Sequence, residues 1–138
     1  MDQVKHILFV CVGNSARSQM ADGFFNAMAP QGWRSSSAGT SPAVEISSKT
    51  IRVLKEVGID IGQKRPIPLT GKMLEEASKV ITMGCLDSDS CPVFLVGDEP
   101  KWVDWKIPDP RGMSLEKYRE VRDLIKVKVE ELVAGLSQ

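Results

Sequence analysis

The run Cys11-Val12-Gly13-Asn14-Ser15-Ala16-Arg17-Ser18 places a thiol six residues ahead of an arginine, across a loop of small and polar residues. A cysteine, a Gly-containing loop and an arginine at this spacing can build a cradle for a tetrahedral oxyanion around a sulfur nucleophile. The apolar run Val4–Val10 before the cysteine reads as a buried strand, and helical periodicity begins near Ser15. Cys11 therefore stands where a strand gives way to a helix, and the amides of Val12, Gly13, Asn14, Ser15, Ala16 and Arg17 are the expected anion donors. Unsatisfied N–H groups and the positive end of the helix dipole favour an anion there. The same field, with an arginine nearby, favours the thiolate. Arg17 offers a planar fork to two oxygens, and Ser18 a hydroxyl to the sulfur. The plain alternative is that Cys11 is a small buried hydrophobe ending a strand.

Three further residues join this set. Asp109 lies between prolines in Ile107-Pro108-Asp109-Pro110-Arg111-Gly112, so its backbone is held, and a positioned carboxyl can protonate a leaving oxygen. An ordinary turn aspartate is the alternative. Cys85 and Cys91 are separated by five small, apolar or acidic residues, unlike the close pair of a zinc ribbon or a dithiol redox motif. They read as two redox thiols on a mobile segment, as unrelated loop cysteines, or with Cys11 as a soft-metal site.

Two chemistries follow. With Asp109 as acid, Cys11 and Arg17 suffice for a phosphatase working through a phosphocysteine. Arsenate uses more thiols, because As(V) accepts two electrons and leaves as As(III). Attack by Cys11 gives a thio-arsenate adduct, and a second thiolate attacking the Cys11 sulfur expels arsenite. Cys85 is the natural second thiol. Cys91 then attacks Cys85, frees Cys11 and leaves a disulfide for an external dithiol, each step being thiol–disulfide exchange. Disulfide geometry requires Cα atoms about 4.4–6.8 Å apart, so the Cys85–Cys91 segment is expected to move during turnover.

The elements that must position these groups alternate between strand and helix. Ala16, Met20, Phe24 and Met28 mark one face of a helix over 15–29 that stops before Pro30. Trp33–Ala38 reads as a strand. Ser47 is placed to cap a helix carrying Ile51, Leu54 and Val57, with Gly58 as its stop. A short helix is expected over Thr70–Ser78, a strand over Lys79–Met83 and another within Val103–Ile107. Ser114 can cap a last helix whose stripe is Tyr118, Val121, Ile125, Val129, Leu132 and Leu136. This pattern predicts an α/β fold, a small doubly wound four-stranded parallel sheet with helices on both faces. Ligands bind at the carboxyl ends of such strands, where Cys11, Cys85 and Asp109 all fall. Trp102 and Trp105 flank the approach to Asp109 and read as core residues, an exposed partner rim being the other reading.

The 138 residues make one domain, 1–138, with a single core. Eighteen basic and eighteen acidic residues balance, giving no field for nucleic acid or an anionic membrane. Without a membrane-length apolar run or a signal-peptide layout, the expected place is the cytoplasm. Three cysteines there suggest redox or catalytic thiols rather than a disulfide framework. The one histidine, His6, falls inside the first strand, so a Ser–His–Asp triad is not expected.

Over nearly its whole length the chain resembles thioredoxin-coupled arsenate reductases of the family that shares the low-molecular-weight tyrosine phosphatase fold. The likeness rests on Val10–Gly23, Ser37-Ala38-Gly39-Thr40, Cys85 to Cys91-Pro92, and Asp109-Pro110. It implies Cys11 as nucleophile, Cys85 and Cys91 as resolving thiols, Arg17 as oxyanion clamp, Ser18 as the hydroxyl after the arginine and Asp109 as acid. It also implies arsenate as substrate, with phosphate or sulfate able to occupy the loop, and thioredoxin as reductant; no cofactor is expected, and nothing in the sequence demands more than a monomer. Some relatives bind potassium near the loop. Asn14 and Asp22 match that region, Asp22 being shorter than the expected glutamate, and no metal is assigned. The spacer between the resolving cysteines is one residue shorter than in the familiar form. Arg111-Gly112 replaces the aromatics that guide an aryl substrate in tyrosine phosphatases of this fold. A phosphotyrosine phosphatase is the alternative within the fold, and a non-catalytic thiol sensor or metalloid-binding module the alternative outside it.

Overall fold

Ile7 to Cys11 are all buried, a pattern that a strand reaches only inside a sheet covered on both faces. In the computed structural model, which describes residues 4–84 and 102–136, this run forms β1, Lys5–Cys11. It is followed by α1 (Arg17–Met28), β2 (Trp33–Gly39), α2 (Ser48–Lys55), α3 (Gly71–Glu76), β3 (Lys79–Thr82), β4 (Trp102–Asp104) and α4 (Leu115–Leu136). The sheet order is β2-β1-β3-β4 and every pairing is parallel. The chain steps from β1 to one side to make β2, then crosses back to make β3 on the other side. The carboxyl end of β1 is therefore the switch point of the sheet, the place where diverging connections open a crevice. Cys11 is the last residue of that strand.

The alternation of β1 divides the core in two. Ile7, Phe9 and Cys11 pack with α1, α4 and Val53 and Leu54 of α2. Leu8 and Val10 pack with Ala38, Val80 and Leu74 of α3. Phe9 anchors the larger side, with Phe25 at 6.0 Å in an edge contact and Trp105 at 5.8 Å. Trp102 packs against the smaller cluster, so both tryptophans are core contacts. Among the described residues, no helix is long and apolar enough to cross a membrane.

Several local expectations shift. Helix α1 starts at Arg17, leaving Ser15 and Ala16 in the loop, and nine successive residues from Arg17 to Phe25 are buried rather than one stripe. The surplus burial comes from the polar side, where segment 64–67 lies over Gln19 and Asp22. Helix α2 buries Thr50, Val53 and Leu54, while Val57 lies beyond it and is exposed. Ser47 takes the N-cap position without a side-chain cap bond; its hydroxyl donates to Tyr118 Oη at 3.1 Å. Gly58 does end the helix, with φ +85° and the paired bonds Gly58 N–H to Lys55 O and Ile59 N–H to Leu54 O. Strand β4 lies one residue earlier than its expected window and stops at Asp104. Lys106, at φ +53°, then turns the chain back toward the site. The stripe of α4 holds, and Ser114 Oγ caps Lys117 N–H at 3.2 Å.

Candidate active site

The cradle owes its shape to the segment after β2. Thr40, Ser41 and Ala43 donate their N–H groups to the carbonyls of Cys11, Val12 and Gly13 at 3.1, 2.9 and 2.9 Å. The Ser15 carbonyl accepts from Ser47 N–H at 3.2 Å and from Thr50 Oγ1 at 2.9 Å. Gln19 Nε2 donates to the Asn14 carbonyl at 3.2 Å. With five successive carbonyls turned outward and held, the amides are left to the concave side. Among the described residues, the N–H groups of Val12, Gly13, Ser15 and Ala16 have no backbone acceptor. That is an anion site built from backbone, as at other helix N-termini.

Gly39 makes the strapping possible. A Cβ there would lie 2.7 Å from Val12 O and 3.0 Å from Asn14 Cβ, so only glycine lets β2 end this close to the loop.

The sulfur sits inside the cradle, 3 % exposed at the residue level, and a directed chain of hydrogen bonds ends on it. Ile67 N–H and Gln19 Nε2 both donate to Asn14 Oδ1, at 2.8 and 3.0 Å. This fixes the amide so that Asn14 Nδ2 donates to Ser18 Oγ at 2.7 Å. Ser18 Oγ lies 2.8 Å from Cys11 Sγ. Since the serine oxygen is already accepting, its proton is free to point at sulfur. Asn14 N–H adds a second donor at 3.2 Å. Asn14 holds φ +50°, a left-handed conformation that asparagine tolerates better than most residues. Loop turn and amide relay are thus served by one residue type.

Arg17 is buried and pinned by backbone. Its NH1 donates to the carbonyl of Met83 and to that of Ile107 at 3.0 Å. Gly84, at φ +84°, makes the turn beside it; a Cβ there would meet Ile107 O at 3.1 Å and Arg17 NH1 at 3.3 Å. Asp104 Oδ1 holds this turn by accepting from Gly84 N–H and Thr82 Oγ1. The ends of β1 and β3 and the segment after β4 therefore meet on one guanidinium.

Asp109 Oδ2 lies 3.6 Å from Arg17 NH2. Burial raises its pKa, but hydrogen bonds from the Arg111 side chain and backbone outweigh burial, with the charges of Arg17 and Arg111 adding to them. The carboxyl is held below its usual range. Asp109 is thus a carboxylate between two guanidinium groups.

Cys11, Arg17, Ser18 and Asp109 thus converge, with the loop 12–16 around them. Cys85 and Cys91 lie outside the described residues. Sequence reasoning missed the carbonyls of Met83 and Ile107, the relay through Gln19 and Ile67, the strap over 40–50 and the part of Arg111. Only Gly84 and Arg111 carried a residue-type signal.

No potassium is assigned, and Asn14 and Asp22 are engaged with other partners. Asp22 accepts from Ser35 Oγ at 2.5 Å and Asn26 Nδ2 at 3.0 Å, and Lys64 Nζ pairs with it at 3.2 Å. Lys64 supplies the positive charge and Asn14 Oδ1 is spent on Ile67 and Gln19, so these residues do not fit a potassium ion. Among the described residues, no three His, Cys, Asp or Glu side chains gather to hold a metal.

The family model for low molecular weight phosphotyrosine protein phosphatase matches residues 6–138. An arsenate reductase of Staphylococcus aureus is 35 % identical over 128 residues, 92 % of this chain and 95 % of that protein. A glutaredoxin arsenate reductase of Synechocystis sp. is 35 % identical over 140 residues, 97 % of this chain and 100 % of that protein. The structure of a thioredoxin-dependent arsenate reductase of Corynebacterium glutamicum superposes with a TM-score of 0.78 at 34 % identity, over 99 % of this chain and 64 % of that one. A thiol seated in an amide cradle at the switch point of a four-stranded parallel sheet, together with these matches, places the chain in the low molecular weight phosphotyrosine protein phosphatase family.

Proposed function

We infer that this chain reduces arsenate to arsenite. The observation that carries the reading is the relay from Ile67 N–H through Asn14 and Ser18 to Cys11 Sγ, set inside a cradle of free amides. A thiol held this way is built to attack a bound tetrahedral oxyanion, and the relatives named arsenate reductase supply the substrate.

The amides of the loop 12–17, apart from that of Asn14, which holds the sulfur, and the Arg17 guanidinium bind the anion. Cys11 thiolate attacks As(V), an S–As bond forms, and one arsenate oxygen leaves as water. Asp109 delivers the proton. An anion that draws Arg17 and Arg111 to itself weakens their hold on the carboxylate, and its proton affinity rises when the acid is needed. Cys85 thiolate next attacks the Cys11 sulfur. The S–As bond breaks toward arsenic, arsenic takes both electrons as As(III), and arsenite departs. Cys91 attacks Cys85, Cys11 is released, and an external dithiol reduces the Cys85–Cys91 disulfide. Thioredoxin is the proposed reductant, at work in the cytoplasm on a single-domain monomer. The Synechocystis relative, named for glutaredoxin, makes that thiol system the competitor to exclude.

The test is NADPH oxidation with arsenate, thioredoxin and thioredoxin reductase, run beside a glutaredoxin system and beside hydrolysis of an aryl phosphate. Sustained, arsenate-dependent oxidation is expected, and Cys85→Ser or Cys91→Ser stops repeated turnover while sparing aryl phosphate hydrolysis. A double serine variant that still cycles with the same reductant refutes the relay. Brisk hydrolysis without any arsenate-dependent oxidation would leave a phosphatase, the activity in the family's name.

A further inference from the structure

Arg111 stands where the sequence shows only a departure from an aromatic pattern, and its geometry is specific. Its Nε and NH2 grip Asp109: Nε to Oδ1 and Oδ2 at 3.1 and 2.9 Å, NH2 to Oδ2 at 2.7 Å. NH1 takes no part in this fork and has no acceptor among the described residues. It also lies against the cradle loop, since a Cβ placed on Gly13 would be 2.5 Å from it. The side chain is 39 % exposed, which leaves it free to swing, unlike the buried Arg17. The hydrogen bonds to Asp109, and then its charge, favour the charged form of Arg111, against a cost from burial.

We propose that Arg111 is an oxyanion-binding and specificity-determining residue, its free NH1 taking an oxygen of a bound inorganic oxyanion at the mouth of the cradle. This deepens the reductase reading and rests on it for the identity of the anion. The cradle and Arg17 saturate the inward oxygens. The outward oxygen of a free oxyanion is itself an acceptor, whereas in a monoester that position carries an organic group. A guanidinium at the mouth therefore adds a charge-assisted bond to the first and a desolvation cost to the second. Arginine in place of an aromatic selects the bare anion over the aryl ester.

The test measures binding by titration calorimetry on the reduced protein, with inorganic phosphate and phenylphosphonate as probes, in the parent chain, Arg111→Met and Arg111→Lys. Arg111→Met is expected to weaken phosphate about tenfold, the scale of one hydrogen bond to a charged group. Phenylphosphonate should change less than about twofold, and Arg111→Lys, which keeps the charge without the fork, should recover part of the phosphate affinity. Equal weakening of both probes, no weakening of either, or no recovery with lysine overturns the proposal. Arsenate turnover by the parent chain is scored separately. Selective loss of phosphate binding in a chain that does not reduce arsenate would uphold the anion site and sink the reductase reading.

Discussion

Gly39→Ala tests whether the cradle is shaped by the strap rather than by its own sequence. Gly39 is absent from the positions with positive φ, so the backbone itself accepts alanine and the whole effect is steric. The new methyl would lie 2.7 Å from Val12 O, 3.0 Å from Asn14 Cβ and 3.1 Å from Asn14 N. The first contact is roughly half an ångström or more inside a comfortable C···O approach. Two of these atoms are backbone and the third is a Cβ, so none yields by rotating a side chain. Overpacking of this kind costs about 1–3 kcal/mol, and loosening the Val12 O bond to Ser41 N–H falls within that range. For a domain of this size, a melting point lower by roughly 4–12 °C is expected. Activity should fall further than stability implies, because the atoms displaced are the cradle and the Asn14 relay. A shift of about half an ångström to one ångström in a positioned group costs about 10–100-fold in rate. Thermal unfolding and the coupled arsenate assay, run well below the variant's midpoint, separate the two effects. Gly135→Ala is the control: nothing lies within 4 Å of its Cβ, and in a helix it should be neutral or stabilising by up to about 1 kcal/mol. A Gly39→Ala protein with the parent melting point and a rate within about twofold would refute the argument.

Ser18→Ala removes the hydroxyl at the sulfur and strands the buried Asn14 Nδ2, so a stability loss of about 1–3 kcal/mol in urea unfolding is expected. Its kcat should drop about 10–100-fold with little change in KM, because the hydroxyl faces sulfur and not the anion. Glu56 bridges α2 to α4 through Arg119 and Arg122, and the Arg119 hydrogen bonds, chiefly, pull its carboxyl down to about 2 from the ordinary 4.5. A depressed carboxyl stabilises fully above its unfolded pKa and loses that contribution as pH falls through the folded one. The parent should therefore lose stability between about pH 5 and 2 more steeply than Glu56→Gln, and added salt should shrink the difference; parallel pH–stability curves would discard the bridge. Since Lys64 already neutralises Asp22, arsenate turnover should match in sodium and potassium buffers of equal ionic strength, and a rate or KM that responds to potassium alone would show that the lysine does not fill that role.

The local parts of the molecule were readable from the residues alone. Strand, thiol loop and helix are encoded by contiguous runs, so Cys11, Arg17, Ser18 and the sheet with its covered faces were legible from periodicity and spacing. The stop at Gly58 and the cap at Ser114 were legible for the same reason, as each depends on a few neighbouring residues. Whatever depends on distant segments meeting came only with the fold. No local pattern says that Thr40 to Thr50 will hold the loop carbonyls outward, that Ile67 will orient Asn14, or that the carbonyls of Met83 and Ile107 will pin Arg17. Backbone groups carry no side-chain signature, so a site made largely of amides and carbonyls is nearly silent in composition. Burial of the polar side of α1 was hidden likewise, because segment 64–67, which covers Gln19 and Asp22, lies more than forty residues away in the chain. Arg111 was visible as a residue and invisible as a contact, for only the fold lays its free nitrogen against Gly13.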